Sequence, residues 1–282
     1  MSPKGIIANS FPKSGTHILT ELLSQMGYNQ ANTHLSRSLL VYGPRNFIRN
    51  LKIYFRREKI QGKGVTIDIE NPTRKIKRKW LKTHIENELM EGLYSQAHLP
   101  YSKKLEAVIE QSGHKMLYIH RHPLDVLTSL KNYIVNKKNH PNHKMLVNCT
   151  DDEERFLLLI NGYSGNQNAI IMAPFFKKYQ YSIGWAQSNF VCSLSFEQII
   201  GINGGGSEEQ QRNSIIKVFK YLNYDLKELD RIQSKVYNTK SATFHKGTTG
   251  QWKTELTPKV LNICKLKMME ANIDVDEYFA LT

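Results

Sequence analysis

Phe11-Pro12-Lys13-Ser14-Gly15-Thr16-His17 joins a β-favouring run to a stretch with helical spacing, Ile18 to Leu23. A strand that enters a helix through such a Gly/Ser/Thr loop aims backbone N–H groups and the positive helix end at one point, where a phosphate-like anion is stabilised. Lys13 adds a mobile full charge there. The plain alternative is an ordinary β-to-α connection with a solvated lysine. An ATP-binding loop of the G-x-x-x-x-G-K-S/T type opens on a glycine and places its lysine after the second one. Here Lys13 precedes Gly15 and no glycine opens the loop, so magnesium-dependent ATP chemistry lacks its main signature. A second stretch, Tyr118-Ile-His-Arg121-His-Pro123-Leu-Asp125-Val-Leu-Thr-Ser129, reads as a strand end, a turn and a helix with proline in its first turn. Arg121 offers a forked donor to phosphate oxygens, and Ser129, two helical turns on, presents a hydroxyl to the same place.

The elements that must carry these residues alternate. Gly5–Ser10, Val65–Ile69, Lys115–His120 and Phe190–Ser195 read as strands, and helical patterns follow Thr16, Pro123, Ser207 and Pro258. Strand, loop and helix in series predict an α/β fold, three layers around a central, mostly parallel sheet. In such sheets ligands sit outside the carboxyl ends of the strands. No internal repeat or low-complexity stretch divides the chain, so one domain over 1–282 is expected, with 37–95 as a basic insertion on the acceptor side.

Composition narrows the class. With 282 residues, 40% hydrophobic and 23% charged, the chain holds enough apolar material for a large core, which excludes disordered and fibrous classes. A mean hydropathy of −0.47 and no apolar run longer than Ala169–Phe176 exclude a spanning helix of about 20 residues. The N-terminus has no secretory-type apolar region, and Cys149, Cys192 and Cys264 are odd in number and far apart. A cytoplasmic protein without a disulfide framework or a metal site is expected. The net charge is +14, and 37–82 alone carries +11, from fourteen basic residues against three acids. So local an excess points to an anionic partner.

The loop at Lys13 resembles the 5′-phosphosulfate loop of sulfotransferases that use 3′-phosphoadenosine-5′-phosphosulfate (PAPS), whose signature is Pro-Lys-Ser-Gly-Thr. Three further segments in the family's order strengthen the resemblance. Arg121 and Ser129 have the eight-residue interval of its 3′-phosphate segment. Phe244-His245-Lys246-Gly247-Thr-Thr-Gly250-Gln-Trp252 is similar to its Arg-Lys-Gly-x-x-Gly-x-Trp loop, with His245 where arginine is usual. Leu194-Ser195-Phe196-Glu197 stands where the family has Tyr-Glu-Asp, so Phe196 keeps the adenine-contacting ring without its hydroxyl. The resemblance implies the sulfotransferase relative of the P-loop kinase fold. Ser14, Gly15, Thr16 and His17 are then expected on the 5′-phosphate, and Arg121, Ser129, His245, Lys246 and Gly247 on the 3′-phosphate.

The resemblance also implies the chemistry. Sulfuryl transfer needs a base for the acceptor proton and a cation for the leaving phosphate. His98, in Gln96-Ala97-His98-Leu99-Pro100-Tyr101, matches the family's catalytic histidine and lies 23 positions before Arg121. His84, in Lys82-Thr83-His84, is the alternative, but it falls inside a helical pattern from Trp80 to Met90 and lies 37 positions from Arg121. Lys13 is the expected leaving-group cation. Gln96 stands where animal members often carry lysine, Ile18 where many carry an adenine-stacking tryptophan, and the subtype looks bacterial. His140 and His143 read as a solvated loop and Gly204–Ser207 as a helix cap.

Pro44–Arg57 reads as an amphipathic helix, a cap over the acceptor site or a peripheral membrane contact. The resulting expectation is a PAPS-dependent sulfotransferase acting on a hydroxyl or amine of a small molecule, without a metal and without nucleic acid as partner. A natural-product tailoring role fits, with sulfated alkaloids of the saxitoxin type as one acceptor class. Two other readings stand beside it: an ATP-dependent P-loop kinase, and a noncatalytic binder of anionic membrane or nucleic acid through 37–82. No Lys-x-x-x-Thr-Val-x-x-x-Glu dimer motif appears near the C-terminus.

Overall fold

The computed structural model describes residues 4–31, 66–70, 74–164, 170–237 and 248–279. In chain order the elements that matter are β1 (Ile6–Ser10), α1 (Thr16–Gln25), β2 (Asn29–Gln30), β3 (Thr66–Glu70), β4 (Arg74–Lys77), α2 (Arg78–Glu88), β5 (Leu93–Ala97), α3 (Lys103–Gln111), β6 (Lys115–His120) and α4 (Pro123–Asn136). There follow α5 (His143–Val147), α6 (Asp152–Asn161), β7 (Tyr163–Ser164), β8 (Ile170–Met172), α7 (Phe175–Ile183), β9 (Cys192–Ser195), α8 (Phe196–Ile199), α9 (Glu208–Leu222), α10 (Leu229–Val236), α11 (Trp252–Glu255), α12 (Pro258–Glu270) and α13 (Val275–Phe279).

The central sheet runs β2-β5-β1-β6-β9, and every neighbouring pair is parallel. Its central strands β1 and β6 are buried on both faces, as crossover helices require, while the short edge strand β2 is exposed. Alternation along β1 and β6 sends Ile6, Ala8, Leu117 and Ile119 to one face and Ile7, Met116 and Tyr118 to the other. The first face packs on α1, α9 and α10 through side chains such as Leu19, Leu23, Val218 and Ile232. The second packs on α2 and α3 through Leu81, Ile85, Leu105 and Ile109. A third apolar cluster, built from α4, α6, α7 and α12, begins at Phe11, just past the end of β1. It therefore closes the carboxyl edge of the sheet.

From β1 the chain crosses to β2 on one side, and from β6 it crosses to β9 on the other. The loops after β1 and β6 thus diverge around a crevice, the position where parallel sheets bind ligands.

Three of the four expected strands lie in this sheet. The fourth, expected at Val65–Ile69, is β3, and it pairs antiparallel with β4 in a separate two-stranded ribbon. The place in the sheet belongs instead to β5. Its sequence, Leu-Tyr-Ser-Gln-Ala, carries two polar residues and no β-branched one, so composition conceals it. All four expected helices form, and Ser207 caps α9 by accepting from the Gln210 N–H at 3.4 Å. The helix expected at Trp80–Met90 is α2. Pro44–Arg57 lies outside the described residues. The three cysteines are buried free thiols, and burial pushes Cys192 up to about 11 and Cys264 up to about 12. Among the described residues, no helix is long and apolar enough to cross a membrane.

Candidate active site

The loop after β1 is a tight cradle. Lys13 has φ 72° and Gly15 φ 103°, so two of its residues are left-handed and the backbone curls toward the start of α1. Glycine is required at the second position for a further reason: a Cβ there would sit 2.5 Å from Phe196 Cδ2 and 3.1 Å from Ile119 Cδ1. The Ser14 N–H donates to the Phe11 carbonyl at 3.1 Å and closes the turn. Ser14 is fully buried, and its hydroxyl has no hydrogen-bond partner among the described residues.

Arg121 lies beside this cradle, 5% exposed at the end of β6. Its Nη2 donates to the Thr248 carbonyl at 2.8 Å and its Nη1 to the Lys13 carbonyl at 3.4 Å, while Nε is buried without a partner among the described residues. The guanidinium stacks 4.4 Å above the Phe196 ring. Phe196 therefore supports both the arginine and the glycine turn. Burial pulls the Arg121 pKa down against the opposing pull of Asp125 and Glu197. Burial likewise lowers Lys13, with Arg121 and Lys137 adding to the effect, and lowers His17, with Lys13 adding.

His98 follows β5 directly. Its Nδ1 donates to the Ser10 carbonyl at 2.8 Å, with the Ser10 hydroxyl 3.3 Å away. A carbonyl only accepts, so Nδ1 carries the proton and Nε2 is the unprotonated nitrogen of the neutral ring. The backbone there is pinned from two sides. Asn9, wholly buried, accepts from the Leu99 N–H at 2.8 Å and donates to the Leu99 carbonyl at 3.2 Å. Trp185 donates to that same carbonyl at 2.9 Å. Ser10 and Thr16 hydroxyls share a 2.6 Å hydrogen bond, tying the histidine support to the first turn of α1.

One cavity of about 730 Å³ joins these parts. Lys13, Gly15, Thr16 and His17 line it from the loop after β1. His98, Arg121 and Phe196 line it from just past the ends of β5, β6 and β9, and Ser129 from within α4. His84 is on α2 and is not part of this wall. His245, Lys246 and Gly247 lie outside the described residues. The part of their loop that is described is anchored by Asp125, which accepts from the Gly250 N–H at 2.8 Å and the Trp252 N–H at 3.5 Å. His122 stacks on Trp252, with ring centroids 5.3 Å apart.

The loop of His140 is largely exposed, as expected, yet His140 itself faces inward. It lines the cavity, and its ring meets Tyr133 edge-on at 5.7 Å. His143 turns away and hydrogen-bonds the Ile134 carbonyl at 3.0 Å. Tyr133, Lys137 and Lys178 also reach the cavity, and sequence reasoning does not anticipate them. Helical spacing from Ser129 was a usable signal, since Tyr133 follows it by four residues on the same face.

A parallel sheet with a glycine turn at its switch point and a histidine across the same cavity suits an α/β group-transfer enzyme. The model of the sulfotransferase domain matches residues 3–271, and the chain belongs to that family: it is a sulfotransferase. The mouse sulfotransferase SULT7A1 complexed with PAP superimposes with a TM-score of 0.61 at 17% identity, covering 98% of this chain and 87% of that one. Retinol dehydratase in complex with androsterone and inactive cofactor PAP gives 0.54 at 13%, covering 98% and 82%. The same enzyme with retinol and PAP gives 0.53 at 13%, covering 98% and 83%.

Proposed function

We propose that this chain transfers a sulfuryl group from PAPS to a hydroxyl or amine of a small-molecule acceptor. The observation that carries the reading is the His98–Ser10 hydrogen bond, which assigns the neutral ring's proton to Nδ1 and makes Nε2 its basic nitrogen, on the wall of the cavity that also holds the Lys13 cradle. The residues suit a phosphate ligand: two buried polar atoms, Ser14 Oγ and Arg121 Nε, lack partners among the described residues, and Gly15 keeps the cradle free of a Cβ.

PAPS supplies an electrophilic sulfur whose bond to the phosphate oxygen breaks as the acceptor atom bonds to it. His98 takes the acceptor proton at Nε2 and becomes an imidazolium that the Ser10 carbonyl stabilises through Nδ1–H. Lys13 donates to the phosphate oxygen that gains charge, and the N-terminus of α1 adds its amides. Arg121, held by Thr248 and Phe196, grips the nucleotide's second phosphate, with Ser129 beside it. His245, Lys246 and Gly247 are proposed to close over that phosphate.

Small molecules suit the cavity volume, and androsterone and retinol are the companions of PAP in the retinol dehydratase structures. Among the described lining residues there is no Asp or Glu, whereas Lys13, Arg121, Lys137 and Lys178 are present. This charge favours neutral or anionic acceptors over guanidinium-bearing alkaloids. Calorimetry tests the donor: tight binding of 3′-phosphoadenosine-5′-phosphate (PAP) without binding of ATP-magnesium is expected, and the reverse result favours a kinase.

A further inference from the structure

His122 follows Arg121 just past the end of β6, and its ring joins three segments. It stacks on Trp252, with centroids 5.3 Å apart and planes 8° apart. Tyr278, from α13, meets the same imidazole edge-on at 5.3 Å, and the Tyr278 carbonyl accepts from His122 Nε2–H at 3.0 Å. Nδ1 is then the unprotonated nitrogen, and it accepts from the Leu124 N–H at 3.3 Å to cap α4. Phe279, the next residue of α13, meets the Trp252 indole at 5.8 Å. The strand end is also held from other sides: the buried Tyr179 hydroxyl donates to the Arg121 carbonyl at 2.7 Å, and Glu197 accepts from the His122 N–H at 2.8 Å. Two adjacent aromatic residues of α13 thus touch both members of the His122–Trp252 pair.

We propose that Tyr278 and Phe279 are positioning residues for the nucleotide: α13 clasps the His122–Trp252 pair, and the grip of Arg121 on the second phosphate depends on that clasp being docked. This rests on the sulfotransferase reading, which gives that phosphate to Arg121. The ring pair is the joint between the two segments that hold Arg121, its own turn and the loop whose Thr248 carbonyl accepts from Nη2 at 2.8 Å. Asp125 ties the same two segments through the Gly250 and Trp252 N–H groups. Five residues are too few for a helix to keep its shape alone, so α13 depends on its docking contacts, and releasing it takes less free energy than unfolding the core. Such an element can answer to a ligand. A phosphate drawn to Arg121 favours the arrangement in which both segments are in place, and so favours docked α13. By linkage, docked α13 favours the phosphate by the same factor.

The test uses the full chain and two nucleotides that differ in the second phosphate, PAP and 5′-AMP. The double variant Tyr278→Ala, Phe279→Ala should weaken PAP binding by about tenfold in calorimetry and AMP binding by less than about twofold. The KM for PAPS should rise with the PAP dissociation constant, and kcat should change little. A variant that merely loosens the fold weakens both nucleotides alike, and that result overturns the proposal, as does an unchanged PAP dissociation constant. Where the double variant does not fold, or AMP binds the parent too weakly for comparison, hydrogen exchange in the parent chain decides. Saturation with PAP should slow exchange of the Tyr278 and Phe279 amides by about tenfold, the reciprocal of the same coupling. Equal exchange rates with and without PAP overturn the proposal and leave the donor reading intact. Failure of PAP to bind the parent chain overturns the donor reading, and this inference with it.

Discussion

His98 Nδ1 lies 2.8 Å from the carbonyl oxygen of Ser10, the last residue of β1 and the residue before the loop that carries Lys13. One strand end therefore orients the proposed base on one side and launches the proposed phosphate cradle on the other. Movement of β1 would displace both, which in the proposed mechanism couples the geometry of proton removal to that of leaving-group stabilisation. The buried Asn9 side chain, bonded to both backbone groups of Leu99, makes this a rigid coupling between β1 and the segment after β5.

His98→Gln follows directly from that geometry. The amide keeps a donor for the Ser10 carbonyl but has no basic nitrogen for the acceptor. Turnover should fall by about 10² to 10⁴, the usual worth of a general base. PAP affinity by calorimetry should stay near the parent value. Full turnover in this variant would move the base to the substrate or to another group on the cavity wall.

Lys13 carries a pH prediction. Burial, then the charges of Arg121 and Lys137, holds its pKa below the ordinary lysine value. Binding of an anionic nucleotide favours the ammonium and raises the pKa again. Complex formation should therefore take up a proton between the depressed value and about 10.4, and affinity should fall as pH rises through that window. Calorimetry in two buffers of different ionisation enthalpy reads the uptake. Lys13→Arg should abolish it, because the guanidinium stays charged throughout.

Much of this site was legible in sequence because each binding segment is local. Lys13 to Thr16 and Arg121 to Ser129 each occupy one strand-to-helix turn, so spacing along the chain equals spacing in the fold. The support of the base was not legible. Ser10 and His98 are 88 positions apart and meet because β1 and β5 are neighbours in the sheet, and β5 hides behind a polar composition. Helix α6 was recoverable from a local sign: Asp151 accepts from the Glu154 N–H at 2.8 Å, and Glu154 reaches back to the Thr150 N–H at 2.6 Å. The basic wall of the cavity combines α7 with the end of α4, a tertiary fact that no spacing records.

Asp125 gives a third prediction. Its carboxylate accepts from the Gly250 and Trp252 backbone N–H groups, and so fixes the segment whose Thr248 carbonyl holds Arg121. Asp125→Asn replaces one acceptor oxygen with a donor that faces an N–H. A lost charge-assisted hydrogen bond of about 1.5 to 3 kcal/mol is expected to weaken PAP binding by about tenfold or more. His98 is untouched, so the loss should appear in the PAP dissociation constant and the KM for PAPS, with kcat little changed. An unaltered dissociation constant would disconnect this loop from the nucleotide.

Lys131 tests what holds the third apolar cluster together. Its side chain is 6% exposed, and its ammonium meets Asp152 at 2.6 Å and Glu255 at 3.1 Å, tying α4 to α6 and α11. Burial works to raise the Asp152 pKa, but hydrogen bonds and charge from Lys131 and Arg155 outweigh it, and the net value is lowered. The stability that follows from a depressed carboxyl pKa is present above the unfolded value and is lost as pH falls through the folded one. Lys131→Met keeps an unbranched aliphatic stem and removes the charge, together with the ammonium's contact over the Phe156 ring. Because Asp152 is half exposed and can rehydrate, the cost at pH 7 should be about 1 to 3 kcal/mol, below that of a fully buried pair. Denaturant titrations of parent and variant should show this gap closing below about pH 4. A gap that persists unchanged in acid would mean that the packing of the lysine stem, and not its ion pairs, secures the cluster.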